Sequence, residues 1–141
     1  MNCNPFTLGH RYLIEQAAKQ VERLYVMVVR EDCSLFAYTE RKAMVIDGSD
    51  YAISRATFPT YFLKRLDDAA DTQMLLDLDL FRRHIAPALG ATVRFVGTEP
   101  TDQLTRRYNQ LMHETLKDVR EIDRLEKDGN AVSASRVRKA M

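Results

Sequence analysis

Apolar residues along this chain change their period several times, and each change marks an element. Leu13, Ile14, Ala17, Ala18 and Val21 recur three and four residues apart, which predicts a helix from about Gly9 to Gln20. Leu24 to Val29 is a short continuous run rich in β-branched residues, the pattern of a parallel strand buried on both faces. Thr39 is placed to cap a helix through Glu40, Arg41 and Met44, with Asp47 and Gly48 following. The segment from Tyr51 to Phe62 is mixed, with a short strand through Ile53 expected to end by Pro59. Leu76 to Leu89 reads as a helix interrupted near Pro87 and closed by Gly90. Thr92 to Val96 is a second clear strand that runs into Gly97-Thr98-Glu99-Pro100. A long helix from Asp102 to Lys117, a weak strand from Val119 to Ile122 and a last helix from Ser133 complete the pattern.

Strands separated by helix-length segments predict right-handed βαβ units. The expected fold is therefore Rossmann-like α/β, a parallel sheet with helices on both faces. In such folds ligands bind beyond the carboxyl ends of the strands, so the residues following each strand carry the functional interest.

Composition narrows the choice of partner. The 141 residues suffice for one core, and 45% of them are hydrophobic. Twenty-one basic and twenty acidic residues leave a net charge of +1, which gives no global electrostatic case for nucleic acid or a membrane surface. An anionic ligand must then be caught by local geometry. Cys3 and Cys33 form no metal-ligand or CxxC spacing and read as ordinary thiols of a reduced, cytoplasmic protein. The sequence contains no membrane-length apolar run, and its first residues do not resemble a signal peptide.

Two clusters carry candidate chemistry. The first is Asn4-Pro5-Phe6-Thr7-Leu8-Gly9-His10, a Pro-containing turn entering a helix. Amides at a helix N-terminus attract phosphate oxygens, Thr7 adds a hydroxyl, and His10 adds an imidazole donor. Gly9 is expected to let the backbone approach a nucleotide closely. The second is Val132-Ser133-Ala134-Ser135-Arg136-Val137-Arg138, where hydroxyls open a helix and a guanidinium follows one turn later. Taken singly, each is also compatible with an ordinary capped surface helix.

Together, the T-x-G-H motif and the late S-x-S-x-x-R motif resemble the HIGH-type nucleotidylyltransferase superfamily. The stretches MNCNPFTLGHRYLIEQAA, SDYAISRATFPTYFLK, LFRRHIAPALGATVRFVGTEP and VSASRVR further resemble the C-terminal domain of citrate lyase ligases, across nearly the whole chain. The resemblance implies one catalytic domain over residues 1–141. It also implies ATP-dependent activation of acetate to acetyl-adenylate, with transfer to the prosthetic-group thiol of the citrate lyase acyl carrier subunit. Thr7, His10 and Arg138 would be the catalytic phosphate ligands, with Ser133 and Ser135 beside Arg138. Phe6, Gly9, Gly97, Thr98 and Glu99 would line the nucleotide site, and Mg²⁺ would enter through the phosphates. Ser54 and Arg55 are candidates for the acyl or thiol substrate, although an arginine on a surface strand is an equal alternative. His84 and His113 receive no role, and Arg41 with Met44 reads as helix packing. A phosphopantetheine-type adenylyltransferase and a non-catalytic nucleotide-binding module are the alternatives.

The resemblance also implies elements that the sequence does not show. Citrate lyase ligases carry an N-terminal acetyltransferase-like domain. A first strand is expected ahead of Asn2, and the stretch from Met44 to Ser49 is shorter than the family pattern. An incomplete sheet is the expectation.

Overall fold

The structure, a computed structural model, describes residues 1–30, 34–48, 52–54, 68–127 and 129–141. The chain divides into two compact units, Met1–Pro59 with Asp123–Met141, and Thr60–Ile122.

In the first unit, α1 (Leu8–Ala18) leads to β1 (Tyr25–Met27), α2 (Tyr38–Asp47) and β2 (Ala52–Ser54). β1 and β2 pair in parallel with Val26 opposite Ile53, so helix α2 connects two parallel strands as the periodicity predicts. Val26 and Val28 are buried in a core with Cys3, Ile14 and Val45, and Phe6, Leu24 and Tyr38 pack around it. Tyr25, Met27 and Val29 are only half-buried, so the strand alternates where burial on both faces was expected. Met1 lies alongside: its amino group donates to the Met27 carbonyl at 2.6 Å and its carbonyl accepts from the Val29 N–H at 3.0 Å.

Helix α2 starts at Tyr38, ahead of the expected cap at Thr39. The Glu40 carboxylate accepts the Ala37 N–H at 2.8 Å, and this bond fixes the helix start in place of a threonine hydroxyl. A short antiparallel pair, β5 (Glu126–Lys127) with β6 (Asn130–Ala131), precedes α6 (Ala134–Ala140). The periodic pattern did not show this pair because each strand has two residues; the Asp-Gly step at 128–129 is its sequence signal.

The second unit runs α3 (Asp68–Leu80), a π-helical turn (Phe81–Ile85), α4 (Ala86–Leu89), β3 (Arg94–Gly97), α5 (Gln103–Thr115) and β4 (Val119–Ile122). Helix α3 begins well before the expected Leu76, because Ala70, Met74 and Leu78, each four residues apart, form its buried stripe. The expected interruption near Pro87 is real: the π turn precedes it, and Gly90 in the left-handed region ends the helix. Strands β3 and β4 are parallel with Phe95 opposite Arg120, and α5 connects them. Leu111 and Met112 of α5 meet the α3 stripe in the core of this unit. The architecture is α/β in both units. Among the described residues no helix is long and apolar enough to cross a membrane.

Candidate functional site

Thr7 stands at the N-cap of α1 in an extended conformation, and His10 occupies the third helical position. The Thr7 N–H donates to His10 Nδ1 at 3.0 Å, and the Thr7 hydroxyl lies 2.9 Å from the same nitrogen. A backbone N–H can only donate, so Nδ1 is the acceptor and the proton of the neutral ring sits on Nε2. Burial, reinforced by the positive charges of the amino terminus and Arg124, pushes the His10 pKa down from 6.5 to about 4. The ring is thus neutral near pH 7, with Nε2–H as its donor. Phe6 stacks on it with centroids 5.8 Å apart and planes 20° off parallel. Phe6 in turn rests on Gly48, where a Cβ would come within 2.5 Å of the ring, so α2 ends on a residue that leaves room for it.

The second motif meets the first at two places. Arg138 donates through Nη1 to the Asn4 carbonyl, 134 residues away in sequence, and through Nη2 to the Ser135 hydroxyl at 3.1 Å. A Cβ at Gly9 would lie 2.9 Å from the Val132 carbonyl oxygen. The lack of a side chain at Gly9 is therefore explained by the close approach of the segment leading into α6. Ser133 caps α6 by accepting the Arg136 N–H at 3.3 Å. Thr7, Gly9 and His10 are thereby brought beside Ser133, Ser135 and Arg138 in one unit. The amides opening α1, the Nε2–H of His10 and the Arg138 guanidinium are all donors, a set suited to phosphate oxygens.

The turn ahead of Thr7 is held from behind by residues that the sequence pattern did not assign to the site. Asn4 Oδ1 accepts the Phe36 N–H at 3.2 Å. Arg41, fully buried, donates from Nε to the Phe36 carbonyl at 2.9 Å. Its Nη1 donates to the Asn2 carbonyl at 2.8 Å, to Asn2 Oδ1 at 2.7 Å and to the Val29 carbonyl at 2.9 Å. Cys3 between these anchors has a φ of 53°, a left-handed conformation that non-glycine residues keep only where surrounding bonds enforce it. Its buried thiol is free, and desolvation raises its pKa to about 11. Arg41 is packed, as its place on a core-facing helix suggested. The polar work of its guanidinium had one signal, a charged residue four positions before the core residue Val45.

The other expected site residues lie elsewhere. Ser54 is the last residue of β2, and Arg55 falls outside the described residues. Gly97, Thr98 and Glu99 belong to the second unit, at the carboxyl end of β3. There the Gly97 carbonyl accepts from the buried Asn109 amide at 3.0 Å, and the Thr98 N–H donates to the Ile122 carbonyl at 3.0 Å. One Glu99 oxygen accepts from the Thr101 N–H, the Thr101 hydroxyl and the Asp102 N–H, so this carboxylate shapes the turn into α5. His84 is exposed, and His113 lies on the surface 3.3 Å from Glu121. Among the described residues no cluster of three or more histidine, cysteine or carboxylate side chains could hold a metal ion.

Comparison with known proteins gives a consistent family. Residues 1–141 match the model of the citrate lyase ligase C-terminal domain. The chain is 50% identical to a citrate (pro-3S)-lyase ligase of Klebsiella pneumoniae over 158 residues, covering 98% of this chain and 46% of the relative. With the ligase of that name from Haemophilus influenzae it shares 49% identity, covering 99% of this chain and 48% of the relative. The Escherichia coli protein of the same name is 44% identical, with 100% of this chain and 46% of the relative covered. The chain thus spans about half the length of the curated relatives it matches. The alignments are longer than the 141 residues of the chain, so these relatives carry residues within the matched region that it skips. No solved structure matches. A family model matching the whole chain and relatives at this identity establish that the chain belongs to the citrate lyase ligase C-terminal domain family.

Proposed function

We propose that this chain is the adenylate-forming domain of a citrate lyase ligase, with a Rossmann-like fold of the HIGH nucleotidylyltransferase type acting as one catalytic domain in the cytoplasm. The observation that carries this reading is the meeting of the chain's two ends, Arg138 on the Asn4 carbonyl and Gly9 against Val132. It supports reading two motifs that are individually unremarkable in composition as parts of one donor-lined site.

In this reading ATP binds with its phosphates against the opening of α1 and the Arg138 guanidinium. Thr7, Ser133 and Ser135 supply hydroxyls, and Gly9 and Phe6 line the nearby wall. Mg²⁺ would arrive on the triphosphate and neutralise part of its charge. The acetate carboxylate attacks the α-phosphorus in line, the bond to the bridging oxygen breaks, and pyrophosphate leaves with that electron pair. With Nδ1 accepting the Thr7 N–H, the Nε2–H of His10 is left to donate to the charge developing on the α-phosphoryl oxygens. Arg138 holds the departing phosphates. The thiolate of the prosthetic group on the citrate lyase acyl carrier subunit then attacks the acetyl carbonyl and releases AMP. Ser54 and Arg55 are assigned to the acyl or thiol substrate. No step requires a covalent bond to the protein, since such transfers depend on positioning and charge stabilisation.

The test is exchange of labelled pyrophosphate into ATP by the full-length protein. Acetate-dependent exchange is expected. Exchange driven by phosphopantetheine would instead support a phosphopantetheine-type adenylyltransferase, and ATP binding without any exchange would support a nucleotide-binding module.

A further inference from the structure

We infer that Arg41 is a positioning residue for the phosphate site, acting through the Asn2–Asn4 turn on Arg138. The inference rests on the proposed triphosphate site and adds a residue outside the two motifs. Arg41 reaches from α2 to three separate stretches of backbone. It binds the Asn2 carbonyl and side chain at the start of the turn, the Val29 carbonyl after β1, and the Phe36 carbonyl. Phe36 relays the hold: its N–H donates to Asn4 Oδ1, which fixes the orientation of Asn4. The Asn4 carbonyl in turn accepts Arg138. One buried guanidinium therefore sets the direction of the carbonyl on which the phosphate-binding arginine rests.

Only an arginine serves here. Its planar fork presents Nε and Nη1 to acceptors on different segments at once, whereas a lysine ammonium is a compact point charge on a flexible stem. The left-handed conformation of Cys3 shows that the turn between Asn2 and Asn4 is imposed by these anchors and not by its own preference. Loss of the fork should release the turn, and Arg138 would then lose its fixed seat while retaining its charge.

The experiment is a double-mutant cycle on the affinity for Mg·ATP, measured by calorimetry on the full-length protein. Arg41→Lys is expected to weaken binding about tenfold, and Arg138→Ala by more. The double variant should bind no more weakly than Arg138→Ala alone, because one substitution acts through the other. Asn2→Ala, which removes a single acceptor of Arg41, gives a milder variant should Arg41→Lys fail to fold, with a few-fold loss that also vanishes in the Arg138→Ala background. Val45→Ala is the control for general destabilisation; it should lower the melting temperature and leave affinity unchanged. Losses that add in the cycle, or unchanged affinity in Arg41→Lys and Asn2→Ala, would overturn the inference while leaving the ATP site intact. Absence of Mg·ATP binding by the unaltered protein would overturn the site and the inference together.

Discussion

Arg138 and Asn4, 134 positions apart, are joined by a hydrogen bond from a guanidinium to a backbone carbonyl. The second Nη of the same arginine holds Ser135 at 3.1 Å. The bonds pre-orient a long side chain that would otherwise sample many rotamers, lowering the entropic cost of engaging a phosphate. Replacement by lysine keeps the charge and loses the fork. Arg138→Lys is expected to cut pyrophosphate exchange by about 100-fold, the scale of one preorganised donor. Its melting temperature should also fall, since the half-buried side chain ties α6 to the Asn4 turn. Exchange rates for the purified variant check this.

The protonation of His10 gives a pH prediction. In the unfolded chain the ring takes up a proton as pH falls through about 6.5, but in the folded protein only near 4. The unfolded state therefore binds more protons between these values, and stability rises with pH across the window. His10 should cost on the order of 3 kcal/mol at pH 4 relative to pH 7, from the free energy of one pKa unit. The cost is absent above pH 6.5 and reaches its full size once pH has fallen to about 4. Urea denaturation of the wild type and His10→Gln at pH 7, 6 and 5 measures the difference, which should grow as pH falls. A neutral ring also predicts no step in the exchange rate near pH 6.5 from this residue.

Gly9→Ala sets two effects against each other. Alanine in a helix gains roughly 1 kcal/mol over glycine in intrinsic preference. The new Cβ would meet the Val132 carbonyl at 2.9 Å, and that crowding costs about 1–3 kcal/mol. Stability should therefore change by no more than about 2 kcal/mol, from the difference of those terms. The opening of α1 and the segment before α6 must move apart, so affinity for Mg·ATP should fall about tenfold, a loss comparable to one good contact. Thermal melts and calorimetry together separate the two outcomes.

Cys3 provides a test of burial. With its thiol fully enclosed and its pKa near 11, it should resist alkylation by iodoacetamide at pH 8 in the native protein and react on denaturation. Peptide mass mapping reads Cys3 separately from Cys33.

Much of this was legible in the sequence because it is local. The 3.6-residue stripe of α1, the β-branched run of β1 and the parallel pairing of β3 with β4 across α5 follow from spacing and connection length. The family followed from the likeness of four stretches spread over nearly the whole chain. What the sequence hid is what depends on distant segments. Gly9 read as room for a ligand, and nothing in the sequence signalled that a Cβ there would also meet a carbonyl 123 positions later. The tautomer of His10 depends on its partner being a backbone N–H, which no residue type reveals. Arg41 looked like packing because hydrogen bonds to backbone carbonyls leave no mark in the identities of the residues that accept them. Thr39 looked like a cap because hydroxyls usually cap, but Glu40 reached the Ala37 N–H instead.

The most direct measurement is calorimetric titration of the protein with Mg·ATP, repeated on His10→Ala and Arg138→Ala. Saturable one-to-one binding that both substitutions weaken at least tenfold, with circular dichroism unchanged, is the expected result if the two residues flank one triphosphate as proposed. Binding that neither substitution alters would contradict the joining of the two motifs into a single nucleotide site.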